Sequence, residues 1–391
     1  MLAISAHYTS KVGSNTMHLL PLRNLLILAL CSALPLVSGC NCEDTSQEPP
    51  TPEPPTPAPS FNRGFYLDMT LDSQDRIWLA YQNGENTSLE VARGTGETLE
   101  WERWTVEGQG EVVSGLLTGN FSAGNYASIA VDDAGLPHVV HWDKDGDRLR
   151  WATKTADGWD KFTVDEEGGK FASLGMLNGN EPIVSYYSGG DLKVAVRNNG
   201  AWVSETVDSG EEVEGLSADV GRYSDLLVVE NGTVYIAYYD TAAGDLKVAH
   251  GIPGNWNLAI WASEGDVGHW PALSEEGGSV YVSYLDAGNK DLIFGRWTGT
   301  SLETEVVDAG DFVGADSAHS WVDGTATIFY HDGVNNDAKV ATQVEGGGWE
   351  VETHMNSGAV GFFNSLETDS QGNLVWSCFN HTSTDLIVQR L

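Results

Sequence analysis

With 56 acidic side chains against 20 Lys and Arg in 391 residues, the chain carries a formal charge of −36. Such a surface repels phosphate backbones, which argues against nucleic acid as a partner, while it suits a salty medium, cationic ligands or a divalent metal. The 45 Gly, 14 Trp and 13 Tyr, with no long helical periodicity after the N-terminus, point to many short strands joined by tight turns.

The first predicted element is an address. Arg23 precedes the apolar run Leu25-Leu26-Ile27-Leu28-Ala29-Leu30, and small residues follow, which is the pattern of a secretory signal. Val37-Ser38-Gly39-Cys40 resembles a bacterial lipobox. That resemblance implies a signal peptide over 1–39, cleavage before Cys40, and lipidation of its sulfur and new amino group; the alternative is an ordinary signal with an incidental cysteine. Met17 is an alternative start. Asn41 after the lipidated position implies, by similarity to Gram-negative lipoproteins, export and anchoring in the outer membrane. Residues 40–63 then form a tether, with seven prolines in the eleven residues Pro49 to Pro59; such a segment stays extended at roughly 3 Å per residue. The remaining cysteines, Cys31, Cys42 and Cys378, give no zinc spacing and no disulfide framework. Cys42 could reach Cys378 only if the tether folded back.

From residue 64 one unit recurs. It opens on Gly64, Gly124, Gly169, Gly221, Gly268, Gly314 and Gly361, spaced 60, 45, 52, 47, 46 and 47 residues apart, each followed eight residues later by an acid or its substitute. Periods of this size suit propeller blades. Four strand-like segments fill each unit. Ser128-Ile129-Ala130-Val131-Asp132 typifies the first and Val234-Tyr235-Ile236-Ala237-Tyr238-Tyr239-Asp240 the second. Asp191-Leu192-Lys193-Val194-Ala195 typifies the third and Trp202…Val207-Asp208 the fourth. The second is apolar or aromatic on both faces, as a strand sandwiched between neighbouring blades must be. Its fifth residue is Tyr81, His141, Tyr186, Tyr238, Tyr284, Tyr330 or Cys378, and is assigned to inter-blade packing. The expected fold over 64–391 is therefore an all-β, seven-bladed propeller with four-stranded blades. The seventh unit ends after three strands, so either that blade has three or a piece near Phe61 to Arg63 completes it, and ring closure is left to packing between blades one and seven.

The Gly-x-aromatic-x-Ser opening, the Tyr-Tyr-Asp strand end and the Asp-Leu-Lys-Val-Ala strand resemble bacterial secreted propellers related to sialidase-like (BNR-type) repeat proteins. That likeness implies fold over 64–391 more than activity. In such propellers the loops leading into the first strand share a face with those joining strands two and three. Two residues after each repeat Gly stand Tyr66, Tyr126, Phe171, Tyr223, Trp270, Asp316 and Phe363, with Asn125, Lys170, Arg222 and His269 beside them. Aromatic rings with a few polar groups around a channel mouth suit glycan or peptide recognition; alternatively they plug the channel. Tyr66, Tyr126, Phe171, Arg222, Tyr223, His269, Trp270 and Phe363 are thus the candidate ligand-binding residues.

Asp143, Asp145 and Asp147, in Asp143-Lys144-Asp145-Gly146-Asp147, resemble the calcium loops of integrin-type propellers without their full pattern. They are candidate Ca²⁺ ligands, or acceptors for backbone N–H groups in turns. A sialidase would need an arginine cluster, a Tyr/Glu pair and, usually, Asp-box turns, none of which is present. A polysaccharide lyase or glycosidase would draw its base from His141, His269, His319 or His331, although His141 and His331 align with aromatics in other repeats. No catalytic residue is assigned. The sequence thus predicts a lipid-anchored envelope propeller binding a protein or glycan, with a carbohydrate-active enzyme as the alternative.

Overall fold

The computed structural model describes residues 63–95, 101–108, 112–113, 116–117 and 122–391; the signal, Cys40 and the tether up to residue 62 lie outside them. Within the described residues the secondary structure is all β. Six antiparallel sheets of four strands and one of three follow one another along the chain, each a meander in sequence order, and a two-stranded hairpin over Val112–Val113 and Leu116–Leu117 decorates the connection from blade one to blade two. That insertion accounts for the 60-residue first spacing. The innermost strands are Arg63–Leu71, Asn125–Val131, Lys170–Leu177, Val220–Val228, Val267–Glu276, Val313–Val322 and Phe362–Thr368. Each packs against the next around the ring, and the last packs against the first. The chain is a closed seven-bladed propeller.

Burial explains why this closure is stable. A blade has two apolar faces, and each of the seven boundaries between blades holds its own cluster of buried side chains. Trp78, Val91 and Val106 of blade one meet Ile129 and Val139 of blade two. At the closing boundary Leu67, Met69, Leu79 and Tyr81 of blade one meet Val375 of blade seven, with Leu386 and Val388 packed alongside. Removing such surface from water contributes roughly 25 cal/mol per Å², so an unpartnered terminal blade would be costly.

Backbone hydrogen bonds repeat the same seam seven times. The N–H of the residue before each repeat Gly donates to a carbonyl in the preceding blade's turn between strands two and three. Val220 donates to Gly190 at 2.9 Å and Val267 to Gly244 at 3.0 Å. At the closing boundary Arg63 donates to Thr384 at 3.2 Å. Blade seven therefore has three strands, Phe362–Thr368, Leu374–Asn380 and Asp385–Arg390, among the described residues, and Arg63 opens blade one rather than extending blade seven.

The repeat Gly is fixed by this close approach. Gly221 has φ +95°, and a Cβ there would stand 2.8 Å from Leu192 Cα of the preceding blade. Gly268 has the same φ and would place its Cβ 2.7 Å from Leu246 Cα. Only Gly meets both demands. The acid eight residues on caps the turn after the first strand: Asp132 Oδ1 accepts from the N–H groups of Ala134 and Leu136, and Asp369 Oδ1 from those of Gln371 and Asn373.

Candidate functional site

Just past each repeat Gly the first strand bulges, with register shifts against the second strand in every blade. A bulge re-aims a side chain. Here the re-aimed residue is the second after the Gly, and its backbone is left-handed in all seven blades: Tyr66, Tyr126, Phe171, Tyr223, Trp270, Asp316 and Phe363 have φ between 47° and 55°. Each such conformation in a non-glycine residue costs on the order of 1–3 kcal/mol and persists where the surrounding structure enforces it.

The result is an arc of rings around the channel mouth. Centroids are 5.3 Å apart for Phe363–Tyr66, 4.9 Å for Tyr66–Tyr126, 4.6 Å for Tyr126–Phe171, 4.9 Å for Phe171–Tyr223 and 4.7 Å for Tyr223–Trp270. All six are half-buried, so each packs on its neighbours and still presents an edge. Asp316 interrupts the arc, its Oδ2 accepting from the Phe363 N–H at 3.2 Å; burial raises its carboxyl to about 6.

Beneath the arc lies a channel cavity of about 570 Å³ whose walls include Asp68, Asp225, Asp316 and Glu367 and no Lys or Arg. Asp68 Oδ2 accepts from Ser128 and from the Ile129 N–H, both at 2.9 Å, and Asp225 Oδ2 from the Leu273 N–H at 2.7 Å. These carboxylates lace one innermost strand to the next. Burial raises Asp68 to about 6 against those hydrogen bonds, and raises Glu367, which also faces Asp68, to about 7.

Outside the arc, the residue after each repeat Gly sits against the sixth residue of the previous blade's second strand. Lys170 Nζ lies 4.8 Å from the Trp142 ring, Arg222 lies 5.6 Å from the Tyr187 ring, and the His269 and Tyr239 rings are 4.1 Å apart. Asp219 holds Arg222 through two hydrogen bonds, at 3.2 and 2.7 Å, and Asp266 accepts from Tyr239 at 2.7 Å and pairs with His269 Nε2 at 2.8 Å. Around the seventh blade the same positions are aromatic: the Phe65 and Phe379 rings are 4.5 Å apart and the Phe362 and His331 rings 4.2 Å.

All eight candidate ligand residues therefore share one face, six in the arc and Arg222 and His269 just outside it. Reading the second strand by its fifth residue overlooked the sixth: Trp142, Tyr187 and Tyr239 reach the mouth because successive strand residues point to opposite sides. Of the four candidate bases His269 stands there, and His331 takes the sixth-residue position of blade six but is buried. His141 is buried, its Nδ1 accepting from the Gly124 N–H at 3.1 Å and its Nε2 bound to Glu107 at 2.7 Å. His319 is buried between Ser274 and Ser283, and burial lowers it to about 3. His331 bonds the Val360 carbonyl at 3.0 Å.

The three aspartates read as calcium ligands are committed to separate tasks. Asp143 Oδ1 accepts from the Asp145 and Gly146 N–H groups and its Oδ2 pairs with Arg148 at 2.5 Å; Asp145 accepts from the Ser122 N–H; Asp147 accepts from the Trp142 indole. Among the described residues no group of three or more His, Cys, Asp or Glu is placed to hold a metal ion. Asp143 caps its own turn, whereas Asp145 reaches a backbone N–H 23 residues away and Asp147 an indole. Cys378 is a buried free thiol, pushed up to about 12 by burial.

No family model matches the chain, and no curated protein matches its sequence. Among solved structures it is similar to a Bacteroides uniformis protein assigned provisionally as a 6-phosphogluconolactonase, with TM-score 0.50 and 15% identity over 81% of this chain and 97% of that one. A lectin from Aleuria aurantia gives 0.48 and 14% over 75% and 96%. The intramolecular trans-sialidase from Ruminococcus gnavus gives 0.47 and 10% over 84% and 94%. What is shared at such identities is the fold.

Proposed function

We propose that this propeller is a glycan-binding module held at the bacterial envelope, at the outer membrane, by a lipid on Cys40. The observation that carries the binding reading is the six-ring arc, built by seven repeated left-handed bulges at one end of the channel. Half-buried aromatic edges beside hydrogen-bonding and cationic groups suit sugar rings, whose C–H faces pack on aromatics while their hydroxyls seek polar partners.

The direct test is a glycan screen with the full-length chain in detergent. Tyr223→Ala, Trp270→Ala and Phe363→Ala combined should abolish capture while far-ultraviolet circular dichroism stays unchanged. If capture survives, the arc only packs the channel. Metabolic labelling with a fatty acid should mark the wild-type chain and not Cys40→Ser; equal labelling would retire the anchor.

One observation favours a second reading, catalysis on a bound sugar. Tyr239, Asp266 and His269 form a connected hydroxyl–carboxylate–imidazole set on the same face. Incubation with acidic polysaccharides should then release unsaturated or reducing ends, and a flat result across a broad panel would remove this reading.

A further inference from the structure

A second cavity, of about 390 Å³, opens on the aromatic face beside the arc and is lined by Lys144, Lys170 and Arg222 together with Asn125, Trp142, Tyr187 and three rings of the arc. Its size falls in the range of small-molecule sites, roughly 300–1,000 Å³. No Asp or Glu lines it, in a chain with 56 acids and only 20 Lys and Arg. Chance would not gather three of those cations in one acid-free hollow.

The cations are held differently. Arg222 is fixed by Asp219 and lies over Tyr187. Lys170 and Lys144 have no carboxylate partner among the described residues. Lys170 is held over the Trp142 ring instead, and that indole is itself anchored on Asp147 at 2.9 Å. Elsewhere in the fold Lys193 and Lys247 sit on Asp165 and Asp208, so the two unpaired ammonium groups at this hollow are in a different situation. Asn125, nearly fully buried, adds an amide to the wall.

We propose that this hollow is a subsite for an acidic sugar residue, its carboxylate or sulfate ester received by Lys170 and Lys144 with Arg222 behind them, and its ring laid against Trp142 and Tyr126. This rests on the glycan-binding reading and names the class of glycan. The chain as a whole carries a formal charge of −36, so a densely charged anionic polymer meets net repulsion. The favoured ligand is therefore an oligosaccharide carrying a single acidic residue in an otherwise neutral chain.

The test is calorimetric titration of the full-length chain in detergent with one neutral oligosaccharide and its uronate-bearing and sulfate-bearing counterparts. Either acidic form should bind at least tenfold more tightly, with an advantage that shrinks as salt rises; which of the two leads identifies the anion. Lys170→Gln with Lys144→Gln should erase the advantage, while Arg296→Gln, on the strand Asp291–Trp297 of blade five, should keep it. Equal binding of neutral and acidic forms would overturn the acidic subsite and leave the glycan reading intact. Failure of every saccharide would overturn both. Binding of inorganic sulfate or acetate with the affinity of the acidic sugar would reduce the hollow to a generic anion site and also overturn the proposal.

Discussion

The Tyr238 hydroxyl of blade four donates to Asp208 Oδ2 of blade three at 2.6 Å. Lys247, directly opposite Tyr238 on the neighbouring strand, pairs with the same oxygen at 2.5 Å. The arrangement recurs as Tyr186 and Lys193 on Asp165, and as Tyr330 and Lys339 on Asp308. At the boundary of blades one and two it becomes His141 and Arg150 on Glu107. The Tyr of the second strand, the Lys of the Asp-Leu-Lys-Val-Ala strand and the Asp ending the fourth strand are thus three parts of one inter-blade clamp.

The two partners of Asp208 should not be equivalent on removal. Tyr238→Phe deletes one hydrogen bond to a carboxylate and should cost about 2 kcal/mol. Lys247→Met leaves a buried carboxylate without its cation and should cost about 3 kcal/mol. Burial alone would raise Asp208, but Lys247 and Tyr238 outweigh it and hold the carboxyl below its usual range. Because the folded value is depressed, this contribution is present above the ordinary Asp range and fades as pH falls through the folded value. Thermal unfolding of both variants at neutral pH checks the order; equal losses would mean that the ammonium is not what keeps Asp208 charged.

Gly221→Ala tests the seam. Its new Cβ meets the Leu192 backbone, which cannot swing aside as a side chain end would, and φ +95° is strained for any L side chain. A loss of ~2–4 kcal/mol is expected from strain and overlap together. Gly232→Ala is the control: φ is +83° but nothing lies within 4 Å. A chemical-denaturation series should rank Gly221→Ala well below the control.

Much of this architecture was legible because a repeat states its own periodicity. Seven glycines marked the seven boundaries, and the two-faced second strand announced blades stacked on both sides. The aromatics after each Gly were legible as a face. The clamp was not, since Tyr238, Lys247 and Asp208 meet only once two blades are stacked, and no spacing within a single unit shows that. The basic hollow was hidden for the same reason: Lys144 and Trp142 come from blade two, Lys170 from blade three and Arg222 from blade four. Closure was legible in part: with no fourth strand for blade seven it had to come from packing between blades one and seven, which the cluster of Leu67, Met69 and Val375 supplies, whereas the backbone bond from Arg63 to Thr384 was not legible.

Calcium should leave the domain unmoved. Asp143 spends both oxygens on the backbone and on Arg148, so a cation would have to displace an ion pair with nearly buried partners. Adding Ca²⁺ or removing it with a chelator should shift the melting temperature by less than the scatter between runs. A rise of several degrees that Asp143→Asn removes would restore the three aspartates as ligands.

The channel sets the opposite pH dependence from the clamps. No hydrogen bond holds Glu367 among the described residues; burial, with Asp68 facing it, raises its carboxyl to about 7. A folded value above the unfolded one means that the native state keeps this proton after the unfolded chain has released it. Stability is therefore favoured at low pH by this group and declines as pH climbs from the ordinary Glu range, about 4.3, towards 7, after which the dependence flattens. Asp68 and Asp316, both raised to about 6 by burial, act in the same direction over a narrower window. Melting should accordingly be higher at pH 5 than at pH 8. Glu367→Gln, which keeps the shape and removes the charge, should raise the melting temperature at pH 8, change it little at pH 4, and shrink the difference between pH 5 and pH 8. If that variant melts like the wild type at every pH, Glu367 is solvated through the channel and the decline belongs to Asp68 and Asp316 alone.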